Sequence, residues 1–178
     1  MSQVDFHRVF DLLAYQQTKY PQSKSVNQLE GSKWVHFSTQ QIQERVNHLS
    51  AWLKKNTYEE GEKVALIPRM GSAHWMMADF ACQQVGLVVV PIHPTSSVEE
   101  IAFILKETEA RLVLVADINL LKKVQPVTSG LQTFLLDAYQ PNGWPALNYV
   151  ASIQELEQIE QVKQTITPQH LLAILYTS

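Results

Sequence analysis

Cysteine is nearly missing: Cys82 is the only one in 178 residues, so no internal disulfide can form. It lies in an apolar helical stretch, where a small buried packing residue is expected rather than a reactive thiol. A reducing cytosol suits this usage. Positive charge is not in excess either. The net charge of −3 supplies no basic face for nucleic acid, and that class of partner is set aside. No run approaches the roughly 20 apolar residues that span a bilayer. The opening MSQVDFHRVFDLL also lacks the apolar core of a signal peptide. A soluble, cytoplasmic protein is therefore expected, with peripheral membrane contact and homodimer formation left open. The six histidines are scattered, none beside a cysteine or carboxylate at ligand spacing, so they suggest no metal centre. Internal repeats and low-complexity tracts are also lacking.

What is present is a chain that is 46% hydrophobic and 17% charged, which describes an ordinary globular protein of one-domain length. Three short apolar runs, Lys63 to Pro68, Leu87 to Ile92 and Arg111 to Ala116, are rich in β-branched residues and do not alternate with polar ones. A strand with one wet face would alternate, so these are strands covered on both faces. Helix-length segments separate them. Ala73 to Gln84 carries Trp75, Met76, Met77 and Phe80 and is broken by Gly86. Ser97 to Thr108 sets Val98, Ile101, Ala102 and Leu105 on one face. Ser96 or Ser97 can start that helix in a capping box with Glu99 or Glu100. The βαβαβ order predicts an α/β fold, a three-layer sandwich with a mainly parallel sheet between helices.

Outside this core, Asp5 to Lys19 is expected to be an amphipathic helix, with Phe6, Phe10, Leu13, Ala14 and Gln17 on one side and Pro21 beyond it. Ser25 to Gly31 and Lys33 to Phe37 suggest a hairpin. Ser38, with Gln41 at the capping-box position, opens a long helix striped by Ile42, Val46, Leu49 and Leu53. Further on, Ile118 to Val124 suggests a short helix and Gln132 to Asp137 a fourth strand. Ala138 to Val150, with Pro141, Asn142, Gly143 and Pro145, is a loop. Ser152 and Glu155 start a polar helix ending near Gln161, and the apolar Leu171 to Tyr176 is a last strand.

The run GEKVALIPRMGSAHWMMADFACQQVGLVVVPIHPTSSVEEIAFILKETEARLVLVAD resembles the N-terminal domain of the adenylate-forming (AMP-binding) enzymes. That superfamily includes acyl-CoA synthetases, luciferases and the adenylation domains of peptide synthetases. The likeness extends back through WVHFSTQQIQERVNHLSAWL and on to LLAILYTS, nearly the whole chain. PTSSVEEIAFIL after GLVVVP is most similar to the long-chain fatty acid–CoA ligases. The resemblance implies that residues 1–178 are part of the N-terminal domain, stopping where the family's phosphate loop starts with Tyr/Phe-Thr-Ser. It also implies a two-step reaction using ATP, Mg2+ and CoA: a fatty acid carboxylate attacks the α-phosphate, and the CoA thiol then displaces AMP. Thr177 and Ser178 are the phosphate-loop hydroxyls it assigns here. The family's glycines, lysine, metal-binding glutamate and small C-terminal domain lie downstream of its match, so the chain alone is expected to be inactive.

Other residues carry weaker signals. His93, between Pro91 and Pro94 just past a strand end, stands where open α/β sheets place ligands, but a turn histidine is the favoured reading. Trp75, Met76, Met77 and Phe80 could line an acyl site, with core packing favoured. Two alternatives stand beside the ligase: a stand-alone, non-enzymatic α/β binding domain, and another adenylate-forming branch such as an acyl-AMP ligase or an amino-acid adenylation domain.

Overall fold

The computed structural model describes residues 7–30, 32–69, 71–137 and 140–177. Its centre is a four-stranded parallel sheet formed by β3 (Lys63–Ile67), β4 (Val88–Pro91), β5 (Leu112–Val115) and β6 (Gln132–Leu135), in the order β4-β3-β5-β6. Because side chains alternate along a strand, each strand feeds two cores. Val64, Leu66, Leu112 and Leu114 enter one; Ala65, Ile67, Val113 and Val115 enter the other. The first core is covered by α2 (Thr39–Lys55), α3 (Ala73–Gln84) and α6 (Ile153–Thr165), and the second by α4 (Val98–Thr108) and α5 (Ile118–Val124). Both faces are dry, which is why the strands carry no alternation. The three-layer α/β expectation holds.

The helix starts follow from local chemistry. Ser38, Ser97 and Ser152 each accept a backbone N–H from Gln41, Glu100 and Glu155, whose side chains accept the serine N–H in return. Asp117 caps α5, accepting from Asn119 and Leu120 N–H at 2.9 and 3.0 Å. A cap of this kind contributes about 1 kcal/mol. The predicted hairpin forms as well, β1 (Val26–Glu30) pairing antiparallel with β2 (Lys33–Phe37); Gly31 lies outside the described residues.

Four expectations need correction. First, α1 spans only Asp11–Lys19, with Phe6 outside the described residues. Before it the chain bends, because the Asp11 carboxylate accepts the Arg8 N–H at 3.0 Å and pairs with its guanidinium at 2.7 Å. Within α1, Leu13 is buried but Ala14 is exposed. Second, α6 runs on to Thr165, since Ile159 is buried and Val162 packs on the same core one turn later. The Arg8 guanidinium then donates to the carbonyls of Lys163 and Ile166, satisfying groups a helix C-terminus leaves open. Third, the segment read as a loop is tied to the sheet. Leu135 N–H donates to Asn142 O and Trp144 N–H to Leu135 O, both at 2.8 Å. Trp144 is thereby fully buried, edge-on to Trp52 with ring centres 5.6 Å apart, and a 3-10 turn follows at Pro145–Asn148. Ala138 of that segment lies outside the described residues.

The fourth correction concerns Leu171 to Tyr176. It forms no full strand, only a single parallel bridge between Ala173 and Val89. Val89 N–H donates to Leu172 O at 3.1 Å, and Ile174 N–H donates to Val89 O at 3.0 Å. Leu175 is 71% exposed, and Leu171, Leu172 and Tyr176 are exposed too. Apolar character alone does not make a strand where pairing is confined to one residue.

Candidate functional site

Reversal of strand order makes the carboxyl edge of the sheet the first place to look for a ligand. From β3 the chain moves outward to β4 over one face; from β4 it crosses over the other face to β5, on the opposite side of β3. Loops leaving adjacent β3 and β5 thus diverge to opposite faces, the arrangement at which open α/β sheets place their ligands. Arg69 follows β3, exposed and with no ion pair among the described residues. His93 and Thr95 follow β4, and Asp117 follows β5. The carboxylate of Asp117 is engaged as the α5 cap.

The bridge at Ala173 brings the last segment to this edge. Because it runs parallel to β4, residues 174–177 advance toward the same strand ends as Val89 to Pro91. Alternation continues along it. Ala173 packs on the first core and Ile174 on the second, while the Tyr176 ring meets Phe103 of α4 edge-on, 6.2 Å between centres and 86° between planes. Thr177 is exposed at the end of that path. Ser178 lies outside the described residues, so only the first of the two predicted hydroxyls has a described place. A hydroxyl and a guanidinium at strand ends suit an anion in kind. For magnesium the present residues do not serve: among the described residues, no group of three or more His, Cys, Asp or Glu gathers to hold a metal.

The other candidates fall to their packing roles. His93 Nδ1 accepts from the Thr95 hydroxyl at 2.7 Å and from its N–H at 3.3 Å, the geometry of a turn histidine. Cys82 is fully buried, and burial pushes its thiol pKa far up. Trp75, Met76 and Phe80 are half-buried against the first core. Met77 is buried and also forms part of the floor of an open cleft of about 660 Å³ between β1, β2, α2 and the Pro145–Asn148 turn. No local motif announced that cleft, because its walls come from segments far apart in sequence.

The architecture so far defines a parallel α/β domain whose strand order reverses beside β3. Residues 13–178 match the family model for AMP-binding enzymes, and the chain belongs to that family. The comparison with curated proteins found no match. Among solved structures, the fatty acyl-adenylate ligase from L. pneumophila, in complex with acyl adenylate and pyrophosphate, is similar at 18% identity and a TM-score of 0.63. That match covers 83% of this chain and 26% of the ligase. VinN in complex with L-aspartate matches at 20% identity and a TM-score of 0.70, covering 96% and 44% of the two chains. A protein assigned as a long-chain-fatty-acid CoA ligase from Rhodopseudomonas palustris CGA009 matches at 15% identity and a TM-score of 0.66, covering 82% and 37%. At these identities the likeness establishes the fold. The chain spans 26 to 44% of these three relatives' lengths. No helix among the described residues is long and apolar enough to cross a membrane.

Proposed function

We propose that this chain is the N-terminal portion of an ATP-dependent fatty acid–CoA ligase of the cytoplasm, and that Thr177 and Ser178 supply hydroxyls to the triphosphate. Family membership supports the adenylate-forming chemistry, with ATP and Mg2+ as its reagents. The observation that carries the site is the parallel bridge of Ala173 to Val89, which aims Thr177 at the carboxyl edge. The fatty acyl branch draws its support from PTSSVEEIAFIL, which follows β4 and opens α4. CoA as the acyl acceptor rests on that same resemblance. When bound, ATP supplies the electrophilic α-phosphorus; this chain's part is to hold and orient the phosphates.

Pyrophosphate exchange by the intact parent protein tests the reading, using acids from acetate to oleate beside amino acids and benzoates, with the isolated chain as an inactive control. Each buried methylene contributes about 0.8 kcal/mol, so the specificity constant should rise about fourfold per methylene until the acyl site is full. A maximum with acetate, an amino acid or an aryl acid overturns the branch. Turnover by the isolated chain overturns its reading as an inactive portion.

A further inference from the structure

The segment that ends at Thr177 pairs with β4 through a single bridge, Ala173 to Val89. Three residues earlier it is fastened by a side chain as well: His170 Nε2 lies 2.6 Å from Glu60 Oε1. The chemistry of its own turn fixes the His170 ring. Nδ1 accepts the Thr167 N–H at 2.9 Å and the Thr167 hydroxyl at 3.1 Å, which leaves the proton on Nε2 to be donated to the carboxylate. The His170 N–H closes the same turn on Thr167 O at 3.2 Å. Glu60 stands on an equally fixed base. It lies between α2 and β3, where Gly61 N–H donates to Gly86 O and Val88 N–H to Glu62 O, both at 2.8 Å. The turn that carries Glu60 is therefore bonded to the start of β4. Close packing does not replace the contact, because an open cavity of about 100 Å³ lies beside it, lined by Gly86, Leu87, His170, Leu171 and Leu172 among others.

We propose that the Glu60–His170 hydrogen bond is a positioning contact for ATP: it fixes the line along which residues 171–177 run beside β4, and so sets where the Thr177 hydroxyl meets the triphosphate. The inference rests on the phosphate-binding reading of Thr177 proposed above. A single bridge leaves a segment free to pivot, whereas two fastenings three residues apart define a direction. Thr177 lies four residues beyond the pivot, about 13 Å along an extended chain. A tilt of about 15° at Ala173 would move it about 3 Å, a whole hydrogen-bond length. The pair stands at the far end of the segment and acts through Thr177.

Hydrogen exchange at the Ile174 N–H of this chain, which donates to Val89 O, reads the fastening. A bond to a part-exposed carboxylate sets the scale, so exchange should quicken about three- to tenfold in Glu60→Ala and in His170→Ala, with no further gain in the double variant. Glu60→Gln keeps an acceptor oxygen and should restore slow exchange. Thermal unfolding should stay unchanged in both Glu60 variants, because Glu60 is exposed. In the intact parent protein, kcat/KM for ATP in pyrophosphate exchange should fall about threefold or more in Glu60→Ala and recover in Glu60→Gln. Combined with Thr177→Val, Glu60→Ala should add no further loss. Exchange at Ile174 that ignores Glu60→Ala overturns the fastening. Quickened exchange with kcat/KM unchanged, or a Glu60→Ala loss that adds fully to that of Thr177→Val, overturns the positioning role. Thr177→Val with unaltered kcat/KM overturns the phosphate-binding reading and the role of the pair with it, and leaves the exchange result standing.

Discussion

Alanine at Gly86, in the turn into β4, and at Gly61, just before β3, separates two costs that the fold imposes on left-handed glycines. Gly86 has φ +73° between α3 and β4, and a Cβ there would stand 2.8 Å from Glu60 Cγ and 2.8 Å from Ile166 Cδ1. Gly61 has φ +83° with nothing within 4 Å of the same position. Gly61→Ala therefore carries only the left-handed backbone penalty, about 1–2 kcal/mol. Gly86→Ala carries that penalty and overpacking of about 1–3 kcal/mol more. Glu60 is exposed and can swing aside, but Ile166 is buried and cannot, so the added cost falls on Ile166. Urea unfolding at constant m-value reads both losses. Ile166 leads into the segment that meets Val89, so hydrogen exchange at the Ile174 N–H should quicken in Gly86→Ala and not in Gly61→Ala. Equal stability losses in the two variants, with unchanged exchange at Ile174, would refute the reasoning.

Two further outcomes follow from titrating and buried groups. Hydrogen bonds from Tyr149 and from the Ser152 backbone, with Lys55 also bonded, bring the Glu155 pKa down to about 2 from an ordinary 4.5. A carboxyl depressed on folding stabilises above its unfolded pKa and loses that contribution as pH falls through the folded one. Glu155→Gln should therefore flatten the acid limb of stability between about pH 5 and 2, read as urea midpoints against pH. A limb as steep as in the parent would contradict the assignment. Cys82, buried with its thiol pKa pushed up, should resist a disulfide reagent in the native state and react fully after denaturation; ready native labelling would contradict its burial.

How much was legible beforehand depended on whether the signal was local. The runs now seen as β3, β4 and β5 could be recognised because burial on both faces removes polar alternation, and that survives in the sequence. Ser38, Ser97 and Ser152 announced three helices because a capping box lies within four residues. Trp144 was missed because Pro141, Gly143 and Pro145 advertise a turn, while its burial depends on Trp52, far away in the chain. The Arg8 contact with the end of α6 is equally long-range and left no trace in composition. Leu171 to Tyr176 misled in the other direction. Its residues are apolar enough for an interior strand, yet only Ala173 is paired, and the leucines beside it stay exposed. At the strand ends, the expectation for Thr177 came from the family resemblance, and the backbone path from Ala173 leads toward the carboxyl edge. The open cleft over Met77 could not be read locally, since its walls come from β1, β2, α2, α3 and the turn after Trp144.

The central claim is that the path from Ala173 to Thr177 delivers a phosphate-binding hydroxyl to the carboxyl edge. Thr177→Val in the intact parent protein, followed by pyrophosphate exchange at varied ATP, tests it most directly. Losing a hydrogen bond to a charged phosphate costs about 1.5–3 kcal/mol, so kcat/KM for ATP should fall about 10- to 150-fold. The melting temperature should stay unchanged, because Thr177 is exposed. An unaltered kcat/KM for ATP in a folded variant would contradict the claim.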